Sequence, residues 1–139
     1  MPDIMHTLTI KAPAEKVYQA LTEQKDLAAW WATEAAAQAK VGSLLVFKLG
    51  AALKVKLTKL EPGRNVTWLV TEGIPGWDNT EISWELETVS NGTMLRMAHR
   101  NFAPNYELFV YVNTAWAWHI FSLKDYVETG KGRPGPAPI

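Results

Sequence analysis

Residues 106–129 read YELFVYVNTAWAWHIFSLKDYVET and are followed by Gly130. Within this stretch Phe109, Val112, Trp116, Ile120, Leu123 and Val127 recur at steps of three and four. That spacing puts six large side chains on one face of an α-helix. No Gly or Pro interrupts it, and glycine at 130 is the usual helix stop. At about 1.5 Å of rise per residue such a helix is about 36 Å long, enough to cross a whole β-sheet.

Upstream of this helix the period of the pattern changes to two. Val66, Trp68 and Val70, then Ile82, Trp84 and Leu86, then Leu95, Met97 and His99 occupy alternate positions, with polar partners such as Glu81, Ser83, Glu85 and Glu87 between them. Strands with one apolar and one polar edge build an antiparallel sheet that is buried on one face and wet on the other. Turn signals at Val41-Gly42-Ser43, Gly50-Ala51, Glu61-Pro62-Gly63, Gly73 to Asn79 and Ser90-Asn91-Gly92 separate the strands by short links.

The first residues follow the same logic. Ile4, His6, Leu8 and Ile10 alternate with Met5, Thr7, Thr9 and Lys11, which predicts a strand over about residues 4–11. Pro13 and Glu15 suit the first turn of a helix carrying Val17, Ala20 and Leu21. Asp26 is placed to cap a second short helix with Leu27, Trp30 and Trp31 on its apolar face. Two residues adjacent on a helix do not share a face, so one of Trp30 and Trp31 should pack while the other lines a cavity mouth. Together the two helices make a helix–turn–helix segment, though no basic cluster makes it a DNA reader.

Composition narrows the function. The 139 residues fit one domain, and the Gly/Pro-rich run 130–139 reads as a flexible tail. Fourteen Lys plus Arg balance fourteen Asp plus Glu, so there is no positive field to hold a nucleic acid or an anionic membrane. Cysteine is absent, which rules out disulfides, thiolate metal sites and a cysteine nucleophile, and suits a cytoplasmic setting. No apolar run is long enough for membrane insertion.

Read in order, the chain resembles the SRPBCC superfamily, also described as START-like or Bet v 1-like. Within it, the chain is similar to bacterial proteins related to the C-terminal domain of the Hsp ATPase activator. The residues that carry the resemblance begin with Ile10, Pro13, Glu15, Val17, Leu21, Thr22, Leu27, Trp30, Trp31 and Val41-Gly42. They continue with Gly92-Thr93, Leu95, Met97, His99, Phe102 and Trp116, and end with Leu123-Lys124, Tyr126 and Glu128 to Gly132. The resemblance implies an α+β helix-grip fold. Its parts are a curved antiparallel sheet of about seven strands, two short helices after the first strand, and a long C-terminal helix. Two departures stand out: Ala115 where the family often has glycine, and an alanine-rich second strand at Ala35 to Ala39.

Catalytic and metal motifs are missing. There is no GxSxG, no HxH and no HExxH, and Gly130-Lys131-Gly132 lacks the strand–loop–helix setting of a phosphate loop. Glu85 and Glu87 fall on the wet strand face. His6 and His99 are in phase with apolar strand positions, and His119 lies one turn from Trp116. Trp77, in the loop Gly73-Ile74-Pro75-Gly76-Trp77-Asp78, reads as an exposed lid or contact residue.

The expectation is an apolar cavity of about 300 Å³ or more between sheet and C-terminal helix. Its lining should come from Trp31, Trp68, Trp84, Met97, His99, Phe109, Val112, Trp116 and His119. It would bind a small hydrophobic molecule without a cofactor, metal or catalytic group. The resemblance also implies an alternative, a protein-interaction module like the chaperone ATPase activator. A further one is a cyclase-like enzyme using His99 or His119 as acid–base groups. The oligomeric state is left open.

Overall fold

The computed structural model describes residues 2–139. The element order is β1 (Ile4–Ile10), α1 (Ala14–Thr22), α2 (Gln24–Trp30), β2 (Glu34–Ala36), β3 (Leu44–Leu49), β4 (Ala51–Glu61), β5 (Asn65–Glu72), β6 (Glu81–Val89), β7 (Gly92–Arg100) and α3 (Tyr106–Thr129). This is the α+β helix-grip arrangement: a seven-stranded antiparallel sheet in the order β1-β7-β6-β5-β4-β3-β2, with α3 packed across it.

The alternation read from the sequence sets the faces. Val66, Trp68, Val70, Ile82, Trp84, Leu95, Met97 and His99 are all buried, while Glu85 and Glu87 are exposed on the other side. Two register shifts in β4, between Lys54 and Val55 and between Leu57 and Lys59, interrupt its pairing with β5. Such bulges bend a strand and increase its twist, which curls the sheet toward the helix.

α3 runs unbroken over the stretch predicted for it. Asn105 caps its start, its side-chain oxygen accepting from the Leu108 N–H at 3.1 Å. Gly130 ends it at φ 87°, a left-handed conformation that glycine adopts without Cβ strain, and its N–H bonds the Tyr126 carbonyl. Val112, Trp116, Ile120, Leu123 and Val127 are buried on the sheet side. Phe109 is only half-buried, at the edge of that stripe.

Toward its C-terminal end α3 is tied to edge strand β1. The Lys124 ammonium donates to the Thr9 carbonyl at 2.6 Å, and the Glu128 carboxylate accepts the Lys11 N–H at 2.8 Å. These two side chains also pair with each other at 2.7 Å, and their hydrogen bonds hold the Glu128 carboxyl below the usual carboxylate range.

Three expectations need correction. Asp26 does not cap α2, which starts after Glu23 without a side-chain cap. It is buried instead, and its carboxylate accepts from the Tyr126 hydroxyl and from Gln19, joining α1, α2 and α3. Burial, then the bond to Asp26, pushes the Tyr126 hydroxyl up to about 12. β2 is three residues long and starts at Glu34, because alanines have little apolar surface to hold a longer edge strand in place.

The third correction concerns the segment 130–139, which returns to the body of the protein. The Arg133 N–H donates to Ser122 Oγ at 2.7 Å, and its guanidinium lies 4.6 Å over the Trp118 ring. The Gly135 N–H donates to the Trp31 carbonyl at 3.0 Å. A Cβ on Gly132 would fall 2.7 Å from the Ala29 carbonyl oxygen and 2.9 Å from Trp30 Cα. Gly132→Ala is therefore expected to lift the tail at a cost of about 1 to 3 kcal/mol, read as faster hydrogen exchange at the Gly135 amide. Unchanged protection there would mean that the segment is not held by this approach.

Candidate functional site

Aromatic rings fill the space where α3 meets the sheet. Trp31 and Trp116 lie parallel, 4° apart in plane and 5.1 Å between centroids. Trp77 stacks on Trp116 as well, at 6.1 Å and 25°. Trp84 meets Trp116 edge-on from β6, and Trp68 on β5 lies edge-on to Trp84 and tilted by 42° on Trp31. Trp30 joins the cluster from the α1 side, tilted on Trp31 at 5.7 Å and edge-on to Trp84 at 5.8 Å, and its Nε1–H donates to the Ala20 carbonyl at 2.7 Å. Both are fully buried, and the adjacent pair differs in direction: Trp30 reaches back to α1, while Trp31 stacks on Trp116.

Trp77 corrects the sequence reading. It is buried, at 6% exposure, because the segment 73–80 folds inward. A chain of hydrogen bonds holds it there. Trp116 Nε1–H donates to His99 Nδ1 at 2.9 Å, which leaves His99 Nε2 as the protonated nitrogen, facing Thr80 Oγ1 at 2.8 Å. The Thr80 hydroxyl in turn donates to the Trp77 carbonyl at 2.6 Å. Both ring nitrogens of His99 are therefore occupied by the protein. Burial lowers its pKa to about 3, so it is a neutral brace between α3 and the loop, without a free nitrogen for acid–base work.

Beside the stack lies a pocket of about 210 Å³. Trp31 and the α3 residues Leu108, Tyr111, Val112, Ala115, Trp116 and His119 form one wall. Leu49 and Ala51 from the β3–β4 turn, Ile74 and Trp77 from the inward loop, and Pro136 and Ala137 from the tail complete it. The three alanines, set among large rings, leave the space that bigger side chains would fill. None of these residues is charged at neutral pH, since burial holds His119 down to about 4. The His119 ring sits edge-on to Trp31 at 4.7 Å, and its Nδ1 is buried without a partner in the protein. The indole nitrogens of Trp31 and Trp77 are buried and unpartnered too.

Of the residues expected to line a cavity, Trp31, Val112, Trp116 and His119 stand on this wall. Trp68, Trp84, Met97 and His99 do not; they are packed in the core behind it, at 0–1% exposure. Phe109 packs edge-on to Phe102 and also misses the pocket. Leu49, Ala51, Ile74, Leu108, Tyr111, Ala115, Pro136 and Ala137 complete the wall without a signal in the sequence pattern, where Ala115 stands out only as a departure from the family's glycine. A larger depression on the outer sheet face around Glu85, Glu87 and Arg96 is shallow and polar. Arg96 pairs with Glu87 there in an exposed salt bridge. Among the described residues, no group of three or more His, Asp or Glu side chains is close enough to hold a metal, and no helix is long and apolar enough to cross a membrane.

Sheet, grip helix and wall together define a protein of the SRPBCC, Bet v 1-like class. The chain belongs to the family described as activator of Hsp90 ATPase homolog 1-like protein, whose sequence model matches residues 11–128. It is similar to the protein in the solution structure of the Aha1 dimer from Colwellia psychrerythraea. The two are 41% identical with a TM-score of 0.87, over 95% of this chain and 100% of that one. SSP2350 from Staphylococcus saprophyticus shares the fold at 17% identity and a TM-score of 0.80, covering 95% of this chain and 96% of that one. CalU16 from Micromonospora echinospora does so at 21% and 0.75, covering 98% and 77%. No curated protein matches the sequence.

Proposed function

We propose that this protein binds a small, mostly apolar molecule in the pocket between α3, the inward loop 73–80 and the tail. The observation that carries the reading is a concave wall of aromatic and aliphatic side chains, without a charge, in which alanines at 51, 115 and 137 leave about 210 Å³ open. An apolar cavity of about 150 Å³ suffices for benzene, and drug-sized ligands take about 300 Å³ or more. The volume falls below the 300 Å³ expected from the sequence, and it suits a single substituted ring better than a lipid.

Titration with single-ring compounds, followed by calorimetry and tryptophan fluorescence, tests the reading. Ala115→Leu is expected to fill the pocket and weaken binding by about tenfold or more while the protein stays folded. Undiminished binding in the folded variant would place the ligand elsewhere.

A second reading, an interaction module, is favoured by the outer face of α3. Between Glu107 and Lys124 the helix has no Asp, Glu, Lys or Arg, yet Val110, Tyr111 and Phe121 are exposed. Depletion of charge with exposed aromatics is the composition of an interface core. The 41% identical relative is described as a dimer, and a second copy of this chain is the partner we propose for the face. Sedimentation should show concentration-dependent dimers that Phe121→Lys shifts to monomer; a monomer at all concentrations removes this reading.

A further inference from the structure

The outer face of α3 carries a pattern that a second copy of the chain can complete, and this deepens the interaction reading on which it rests. Tyr106, Val110, Asn113, Thr114, Ala117 and Phe121 fall within an arc of about 100° around the helix, outside the buried stripe of Val112, Trp116, Ile120, Leu123 and Val127. Tyr106 is 72% exposed, Phe121 51% and Val110 40%, and Asn113 and Thr114 between them are exposed as well. No Asp, Glu, Lys or Arg lies between Glu107 and Lys124 to keep a second copy away. Lys124 and Glu128 continue the same side of the helix but are bound to β1, so the open strip ends at Phe121.

The strip is nearly symmetric about its middle. Tyr106 and Phe121, Val110 and Ala117, and Asn113 and Thr114 lie at matching distances on either side of the midpoint between residues 113 and 114. Two crossed helices are nearest at the crossing and diverge from it, so short side chains suit the centre and long aromatic ones the ends. We infer that two copies pair through α3 in antiparallel register, crossing between Asn113 and Thr114, with Tyr106 of each on the partner's Phe121. That register sets Val110 against the partner's Ala117, a large side chain against a small one at the same level. A parallel pair would oppose alanine to alanine, leaving a gap one turn before Phe121, and would align the two helix dipoles side by side. At the centre the Thr114 hydroxyl donates to the Val110 carbonyl of its own helix at 3.2 Å, so its oxygen remains to accept from the partner's Asn113 amide. The contact runs for about 22 Å along one helix pair, a small interface of the weak, reversible kind.

The experiment exchanges charge across the expected aromatic pair. Tyr106→Glu and Phe121→Lys change exposed positions, so both variants keep the fold, which circular dichroism checks. Sedimentation of the intact chain is followed from micromolar to millimolar concentration, with one variant fluorescently labelled so that mixed dimers are read directly. Each variant alone is expected to dimerise about tenfold or more weakly than the wild type, because both ends of its interface lose an aromatic contact. Mixed in equal amounts, the two variants are expected to form a heterodimer about tenfold tighter than either parent homodimer. Antiparallel register sets the new carboxylate against the new ammonium at one end and restores Tyr106 on Phe121 at the other, whereas a parallel pair does neither. The gain on mixing should shrink at high salt, as an exposed ion pair requires. Wild-type dimers that the single variants weaken, with no gain on mixing, overturn the antiparallel register and leave α3 as the shared face. Wild-type dimers that neither variant weakens overturn the use of this face. A wild-type chain that stays monomeric at all concentrations removes the interaction reading, and this register with it.

Discussion

Trp116→Ala is expected to destabilise the protein by about 3 to 5 kcal/mol, the range for removing a large aromatic from a packed core. Trp116 is fully buried, with Trp31 and Trp77 stacked on it and Trp84, His99 and His119 edge-on around it. Truncation removes the centre of this cluster and also leaves His99 Nδ1 without its donor. Trp116→Phe keeps a ring and loses only the hydrogen bond and part of the surface, so about 1 to 3 kcal/mol is expected for it. Urea denaturation at pH 7 separates the two variants. A loss under about 1 kcal/mol for the alanine variant would show that the stack is not a packed element.

Lowering the pH from 7 to 4.5 is expected to remove about 5 kcal/mol of stability through His99 and His119 together. Burial depresses both, from an ordinary 6.5 to about 3 and about 4. Between those values and 6.5 the unfolded chain binds protons that the folded chain refuses. The stability linked to each imidazole is thus complete above pH 6.5. It declines by about 1.4 kcal/mol per pH unit below that, levelling off near pH 4 for His119 and near pH 3 for His99. His119→Leu leaves one buried imidazole and should roughly halve the slope between pH 6 and 4.5. Denaturation midpoints that do not fall over this interval would falsify the account.

The fold was legible because two periodicities are unusually clean. The α3 stripe and the alternations in β5, β6 and β7 each leave one way to bury their large side chains. Site details were less legible, since a pocket is a property of surfaces that meet from distant parts of the chain. Alternation says that Trp68, Trp84, Met97 and His99 face inward, but not whether a ligand space or another ring meets them; here rings do. Trp77 sits in a Gly/Pro-rich loop, where exposure is the ordinary expectation. Its burial depends on Thr80 and His99, brought into reach only once β7 pairs with β6. The tail follows the same logic: Gly132 serves a close approach to Trp30, which composition presents as freedom.

The clasp of α3 on β1 bears on how the protein behaves in a crowd of its own copies. An edge strand presents unpaired N–H and C=O groups that another chain can extend, and β1, reading IMHTLTI, has no charge of its own to discourage this. Lys124 and Glu128 supply what the strand lacks. One occupies the Thr9 carbonyl, the other the Lys11 N–H, and together they set an ion pair at the end of the edge. At the opposite edge β2 is too short, at three residues, to template a long ladder. The two ends of the sheet thus oppose fibril-like stacking by different means, a blocking ion pair on one side and brevity on the other.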